Sequence, residues 1–407
     1  MSKEKVVLAY SGGLDTSVCI RYLQLHHNLD VISLTVDCGQ KDNFTDIENR
    51  ALQMGVVKHV FEDCTKEFVQ QYVLPSIKSN GLYEEKYPLA TALTRPLIST
   101  KLVDVAHSQG ARIVAHGCTG KGNDQIRFDA TIRALDQQMT IISPIRDLNL
   151  TRDLELKFAA EQGIPINFEA KKFSIDENIW GRSIEGGRLE DADREPPQDA
   201  FEFVRFDDDR VEYMEVEFEH GIPISVNDQP MHMIELIKFI NAKAGSLGVG
   251  VVDHVEDRAV GIKSREIYEA PAALVLIEAH KDLEKLVLTA NELRFKRLVD
   301  EQWSWLVYSG LWKEPLRYHL DKFIDSTQKK VSGKVRLRMQ RGSLRVVGRE
   351  SKYSLYRNTL ATYTSDSTFD QTMAKGFVEL WSLQCSIANT IDAAMRLNIN
   401  QEGGGKN

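Results

Sequence analysis

Over the first 165 residues, apolar positions fall into short blocks separated by amphipathic stretches. Lys5–Tyr10 is a compact apolar run that predicts a strand, and Thr16–His27 then carries Val18, Tyr22 and Leu25 at helical spacing. Asp30–Val36 predicts a second strand, Phe44–Met54 a helix closed by Gly55, and Val56–Phe61 a third strand. A long helical stretch runs to Gly110, Arg112–His116 is strand-like, and Thr140–Ser143 repeats that pattern after another helix. Thr151 is placed to cap a further helix, with Asp153 in its first turn and Gly163 just past its end. Strands alternating with helices predict βαβ units. The expected fold is therefore a doubly wound α/β domain with a parallel sheet, its ligand sites at the carboxyl ends of the strands.

The pattern changes near residue 170. Glu185–Asp199 is rich in glycine, proline and acids and predicts an exposed loop. Val211–Phe218 alternates apolar and charged residues with a parity change near Met214, which predicts a bulge. Val335, Leu337 and Met339 alternate with Arg336, Arg338 and Gln340, and Arg341-Gly342-Ser343 turns the chain into Leu344–Val347. Helices are expected at Met231–Ala244 and Pro271–Phe295, so this half reads as α+β. Asp370–Leu397 predicts a long helix with Met373, Phe377, Leu380, Ile387 and Ile391 on one stripe, and the Gly-rich Gln401–Asn407 is expected to be disordered. The expected division is 1–168 for nucleotide binding, 169–362 for the α+β domain and 363–407 for a C-terminal helical arm.

Composition narrows the class. The 407 residues are 42% apolar and 27% charged, the balance of a folded globular protein, and no run approaches the roughly 18 apolar residues that cross a bilayer. Net charge is 51 − 59 = −8, which argues against a nucleic-acid or anionic-membrane partner. Ten Lys or Arg against Glu350 between Lys329 and Arg357 are expected to form a solvated or subunit-facing hairpin. Five scattered cysteines without a CxxC pair read as reduced thiols, and the start of the chain carries no secretory pattern, so a cytoplasmic enzyme is expected.

Two clusters carry the chemistry. Ser11-Gly12-Gly13-Leu14-Asp15-Thr16-Ser17 lies between the first strand and the first helix. Paired glycines bring amide N–H groups close to a ligand, the helix adds its positive end, and the hydroxyls add donors. This is an anion cradle without the lysine of a Walker loop, or else a tight connection that binds nothing. Asp15 would repel a bare phosphate, which leaves it two roles: capping the helix, or bridging to phosphates through a divalent cation. The second cluster, His116–Phe128, holds three glycines, with Lys121, Asn123, Asp124 and Arg127 at the start of a helix. An amide, a carboxylate and a guanidinium together can hold both ends of a zwitterionic amino acid. His116 reads as ordered structure or as support for this cluster. Gly245, Gly248 and Gly250 follow a helix and precede a strand, the wrong order for a dinucleotide turn.

Ser11–Ser17 resembles the pyrophosphate loop of the N-type ATP pyrophosphatases, a superfamily that includes tRNA-modifying adenylating enzymes. Joined to Gly117–Phe128, Tyr87–Thr91, Ser174–Asn178, Trp180–Gly187, Glu256, Lys263–Arg265 and Tyr268, the chain resembles the argininosuccinate synthase family along its whole length. The resemblance implies a carbon–nitrogen ligase of arginine biosynthesis, in which ATP activates citrulline as a citrullyl-adenylate, aspartate attacks, and AMP and pyrophosphate leave. It implies ATP contacts from Ala9, Tyr10, Ser11, Gly12, Gly13, Leu14, Asp15, Thr16, Ser17, Val36 and Gly117. It implies citrulline contacts from Tyr87, Asn123, Arg127, Ser174, Ser183, Glu256 and Tyr268, and aspartate contacts from Thr119, Asn123 and Asp124. Asp15, Asp124 and Arg127 would act at the reacting centre, with Mg2+ accompanying ATP and no resident metal. A homotetramer embraced by C-terminal arms is implied as well. Ala92 stands where some members carry a citrulline-contacting serine.

Overall fold

Val6, Val7 and Leu8 of β1 (Lys5–Ala9) are fully buried, as are Val31 to Thr35 of β2 (Asp30–Asp37). Strands apolar on both faces must be covered on both, which is the parallel-sheet situation. In the computed structural model, which describes residues 3–164 and 173–403, β1 and β2 join β3 (Lys58–Asp63), β4 (Ile113–Ala115) and β5 (Thr140–Ile142) in an all-parallel sheet of order β3-β2-β1-β4-β5. β1 pairs Val6 with Val31 on one side and with Ile113 on the other. The chain therefore departs in opposite directions after β1 and β4, and the crevice between those strand ends is the topological switch point. Both glycine-rich clusters occupy it.

The second half holds two antiparallel sheets. β6 (Ser174–Asn178), β7 (Gly181–Glu185), β11 (Val251–Asp257) and β12 (Lys263–Glu269) form the order β11-β12-β7-β6. β8 (Glu212–Glu219), β9 (Ile222–Val226), β10 (Gln229–Pro230), β13 (Gly333–Gln340) and β14 (Ser343–Glu350) form the order β10-β9-β8-β13-β14. The predicted α/β-then-α+β architecture stands. Contacts group the chain into two units, Met1–Ser354, which contains all three sheets, and Leu355–Asn407. The predicted division at 168/169 lies outside the described residues.

Several local expectations are corrected. β8 keeps its phase: Met214, Val216 and Phe218 are buried, while Val211 and Tyr213 are outward-facing apolar residues that imitate a parity change. The irregularity lies three residues on, between Glu217 and Phe218 opposite β9. The helix expected at Pro271–Phe295 is two, Pro271–Val287 and Ala290–Tyr308. Thr289 breaks it because its side chain and that of Glu292 form a reciprocal capping box. The basic hairpin β13–β14 pairs with acids, Lys334 with Asp228, Arg341 with Asp209 and Arg349 with Asp282.

In the second unit a helix spans Met373–Gly403. It includes Gln401–Gly403, against the expectation of a disordered tail there; the last four residues lie outside the described ones. Phe377, Leu380, Trp381, Ile387 and Ile391 are all exposed along it.

Candidate active site

Gly12 has φ +74°, a region that L side chains avoid, and a Cβ there would lie 2.9 Å from the Arg50 guanidinium. Arg50 Nη1 donates to the Gly12 carbonyl at 2.8 Å, so the loop is pinned from below by the helix Phe44–Gln53. Gly13 is the N-cap of the helix Leu14–His26 and has no side chain to accept from the amides that follow it; Ser11 Oγ accepts only the Gly13 amide itself, at 3.4 Å. The first amides of that helix are thus left for a ligand, with the helix dipole behind them. Ser11 Oγ lies 3.3 Å from Thr16 Oγ1, which places two hydroxyls at the mouth. Leu14 and Ser17 point inward. Ser17 is buried, its Oγ 3.4 Å from the Tyr10 hydroxyl, while the Tyr10 carbonyl accepts from Thr35 Oγ1 at 2.7 Å. Ala9 ends β1 directly beneath. At the end of β2, the Val36 carbonyl already accepts from Gln40 Nε2 at 3.0 Å.

Asp15 does not cap the helix. It faces Arg152 Nη1 at 3.1 Å and stands beside Glu155, a residue of the helix Arg152–Glu161. Glu155 is buried, its Oε2 has no hydrogen-bond partner, and burial followed by the Asp15 charge pushes its carboxyl up to about 8. An unsatisfied buried oxygen beside a second carboxylate, next to the glycine loop, has the donor chemistry that a hard divalent cation takes.

The second loop lies against the first. A Cβ on Gly117 would meet Thr16 Cγ2 at 3.0 Å and the Thr16 nitrogen at 3.3 Å, so glycine is what allows the approach. His116 is buried and supports the loop, with Nε2 2.9 Å from Asp129 Oδ1 and Nδ1 accepting from the Cys118 amide at 3.2 Å. Thr119 is exposed at the rim, and Lys121 projects outward while its carbonyl accepts from Arg258 Nη1 at 3.2 Å.

Beyond it, the helix Asp124–Leu135 delivers the polar triplet. Asn123 Nδ2 donates to the Tyr308 hydroxyl at 2.8 Å, and its Oδ1 accepts from the Ala259 amide at 2.8 Å. Asp124 is held from both sides, Oδ2 by Arg95 Nη2 at 2.7 Å and Oδ1 by Arg127 Nη1 at 2.9 Å. Burial acts to raise its pKa, but the two guanidiniums outweigh that and hold the carboxyl below its usual range. Arg95 also bridges to Asp176 at 2.8 Å, linking β6 to this triplet. Arg127 is buried; Nε donates to the Tyr308 carbonyl at 3.0 Å, and Nη2 has no protein partner. One donor of the fork is therefore uncommitted.

The far wall comes from β7, β11 and β12. Glu256 is buried and accepts two hydroxyls, Tyr268 at 2.6 Å on Oε2 and Tyr308 at 2.6 Å on Oε1. Burial raises its pKa and the two phenols only partly offset this. Tyr268 stacks on Tyr87 at 4.1 Å and is the cross-strand neighbour of Ser183, whose buried Oγ also has no partner. The Tyr87 hydroxyl sits 2.7 Å from Thr91 Oγ1 and accepts from the Thr91 and Ala92 amides at the start of the helix Ala90–Ser108. Ser174 is exposed at the edge of the sheet opposite Glu185, which Arg258 holds.

Hydrogen bonds and ring contacts thus link Asn123, Asp124, Arg127, Glu256, Tyr268 and Tyr87 in one network through Tyr308, with Ser183 opposite Tyr268, while Thr119 and Ser174 are exposed outside it. Sequence reasoning missed Arg95, Glu155, Arg258 and Tyr308. A lone arginine in the apolar stretch Ala92–Ile98 was a usable signal for Arg95; Tyr308 belongs to no motif.

Comparison with known proteins points to one family. Residues 5–165 match the family model described as the arginosuccinate synthase N-terminal HUP domain, and residues 173–388 match that of the arginosuccinate synthase C-terminal domain. The argininosuccinate synthase of Pyrococcus furiosus is 54% identical over 387 residues, covering 94% of each chain. That of Dictyoglomus thermophilum is 51% identical over 385 residues, covering 94% of this chain and 97% of the relative. That of Saccharolobus solfataricus is 50% identical over 387 residues, covering 95% and 99%. With both family models matched in order across a site of this composition, the chain belongs to the argininosuccinate synthase family.

Proposed function

We propose that this protein joins citrulline to aspartate at the expense of ATP, releasing AMP, pyrophosphate and argininosuccinate. The observation that carries the reading is the contact of the two glycine loops: a phosphate cradle and an amino-acid cage share the wall at Gly117 and Thr16. ATP would lie with its phosphates on the free amides after Gly13 and its adenosine across the end of β2. The free Nη2 of Arg127 suits the citrulline α-carboxylate, and Glu256 suits its ammonium. The ureido oxygen is then aimed at the α-phosphorus. Its lone pair forms the O–P bond, the P–O bond to the β-phosphate breaks, and pyrophosphate leaves. Aspartate, with its ammonium toward Asp124 and a carboxylate toward Thr119 and Asn123, gives up an ammonium proton to water. Its nitrogen attacks the ureido carbon, and the C–O bond breaks to release AMP.

No protein side chain need form a covalent bond. Arg95 and Arg127 keep Asp124 ionised so that it can take the ammonium, and positioning carries the rate. The Asp15 carboxylate and the unpartnered Glu155 Oε2 are the ligands available to a Mg2+ ion arriving with ATP, whose chemistry when bound is to neutralise charge on the leaving pyrophosphate.

The reading extends to organisation: residues 1–168 bind nucleotide, 169–362 complete the amino-acid sites, and 363–407 assemble a homotetramer. The exposed apolar stripe of the helix Met373–Gly403 supports the last assignment. Among the described residues no helix is long and apolar enough to cross a membrane, and a cytoplasmic location fits the scattered unpaired cysteines. With Mg2+ present, AMP and pyrophosphate should form only when citrulline and aspartate are supplied together. ADP and phosphate would overturn the proposal.

A further inference from the structure

Tyr308, the last residue of the helix Ala290–Tyr308, lies outside every motif, yet three of the amino-acid contacts meet on it. Its hydroxyl accepts from Asn123 Nδ2 at 2.8 Å and donates to Glu256 Oε1 at 2.6 Å. Its carbonyl accepts from Arg127 Nε at 3.0 Å, and the guanidinium carbon lies 5.0 Å from its ring centroid. The ring is itself fixed, stacked on Tyr83 at 3.5 Å and edge-on to Tyr87 at 6.1 Å. Only 1% of Tyr308 is exposed.

We propose that Tyr308 is a positioning residue for citrulline, a rigid phenol that sets the rotamers of Asn123 and Glu256 while its backbone sets that of Arg127. The inference rests on the reading of Glu256 and Arg127 as the citrulline clamp. The hydrogen-bond direction is determined by chemistry. Asn123 Nδ2 can only donate, so the phenol oxygen accepts from it and its one proton goes to the Glu256 carboxylate. Burial, and then the Glu256 charge, hold the phenol well above its ordinary pKa, so it stays a donor throughout the working range. The adjoining turn enforces the placement. Gly310 has φ +79°, and a Cβ there would come within 2.9 Å of the Arg127 Cα, so the helix end can press directly on the backbone that carries Arg127.

Tyr308→Phe keeps the ring, the stack and the carbonyl but deletes the bond to Glu256 and the acceptor for Asn123. A hydrogen bond to a charged group corresponds to roughly 10- to 100-fold in affinity. The citrulline KM should therefore rise by about that factor while the ATP KM stays within about twofold.

A merely structural role would not move the pH profile, and this one does. Glu256 is faced by Tyr268 from β12, by Arg127 from the helix Asp124–Leu135, by Arg258 and Glu266 from its own hairpin and by Tyr83 and Tyr87 from the neighbouring loop. With one of its two phenol donors gone, the acid limb of kcat/KM for citrulline should move to higher pH. Replacing Tyr308 with 3-fluorotyrosine, which retains size and fold but donates more strongly, should move that limb to lower pH. It decides the matter even if the phenylalanine variant fails to fold. An unmoved acid limb in the fluorinated protein, or an unchanged citrulline KM in folded Tyr308→Phe, would overturn the proposal. Glu256→Gln separates the two readings: if it raises the citrulline KM and the Tyr308 changes do not, only the inference about Tyr308 fails. If Glu256→Gln also has no effect, the clamp itself is misassigned.

Discussion

Arg127 commits two donors to the protein and leaves Nη2 unpartnered, which makes Arg127→Ala the most informative single change. Two of its donors serve the protein, Nε to the Tyr308 carbonyl at 3.0 Å and Nη1 to Asp124 at 2.9 Å, and Nη2 is free. Losing the carbonyl contact should cost about 1 kcal/mol of stability. Losing the Asp124 pair should add about 1–2 kcal/mol, less than a fully buried pair would, because Asp124 keeps Arg95 and is partly solvated. On the ligand side, one charge-assisted contact is worth roughly 1.5–3 kcal/mol, or about 10- to 150-fold in citrulline affinity. Aspartate should weaken by only a few-fold, since Asp124 loses one of two cations, and ATP should be unaffected. Initial rates of pyrophosphate release with each substrate varied in turn, alongside a thermal melt, separate these effects. Arg127→Lys should fall between, because an ammonium restores charge without the planar fork. A folded Arg127→Ala protein whose ATP KM rises as far as its citrulline KM would refute the assignment and move Arg127 to the phosphates.

Gly117→Ala forces a methyl to within 3.0 Å of Thr16; the clash should weaken ATP by about 1–3 kcal/mol, with a smaller effect on citrulline, and equal effects would count against a shared wall. Glu256 has a raised pKa, so citrulline binding should be lost as pH falls through a value above the ordinary ~4.3 for glutamate, and isothermal titration across pH 4–7 would reveal it. The sign for folding is opposite: a carboxyl raised in the folded state makes its stabilising contribution below ~4.3 and loses it as pH rises. Removing residues 363–407 should reduce the molar mass seen by light scattering to that of dimers or monomers, and an unchanged subunit count would refute the arm assignment.

What was legible in the chain follows from how local each signal is. The strands β1 and β2 and the loop Ser11–Ser17 are written in consecutive residues, and the structure has them where the pattern puts them. Thr289 could have been read as a helix break from Thr289-Ala290-Asn291-Glu292, but continuous apolar periodicity from Pro271 onward masked it. The bulge in β8 was placed three residues early because Val211 and Tyr213 are apolar residues on a solvent-facing side, a normal occurrence that alternation cannot distinguish from a phase shift. The role of Asp15 stayed ambiguous because its partners, Arg152 and Glu155, lie some 140 positions away. Tyr308 is the extreme case. Its contacts to Asn123, Arg127 and Glu256 span 185, 181 and 52 positions, and nothing nearby hints at them.

That distribution has a physical cause. A phosphate is recognised by backbone amides and a helix end, which a few consecutive residues around a glycine pair can supply. A zwitterionic amino acid carries its ammonium and its carboxylate on one carbon, and a carboxylate and a guanidinium can take the two ends from different parts of the chain. The molecule places Arg127 on the helix that follows β4 and Glu256 on β11 of the second half, with Tyr268 and Tyr308 bridging to the latter. On the proposed assignment, substrate choice depends on contacts between the parallel-sheet half and the antiparallel half, whereas phosphate binding depends on the first half alone. A variant that loosens the packing of the helix Ala290–Tyr308 should accordingly lose discrimination for citrulline before it loses ATP, although no residue of the phosphate loop has changed.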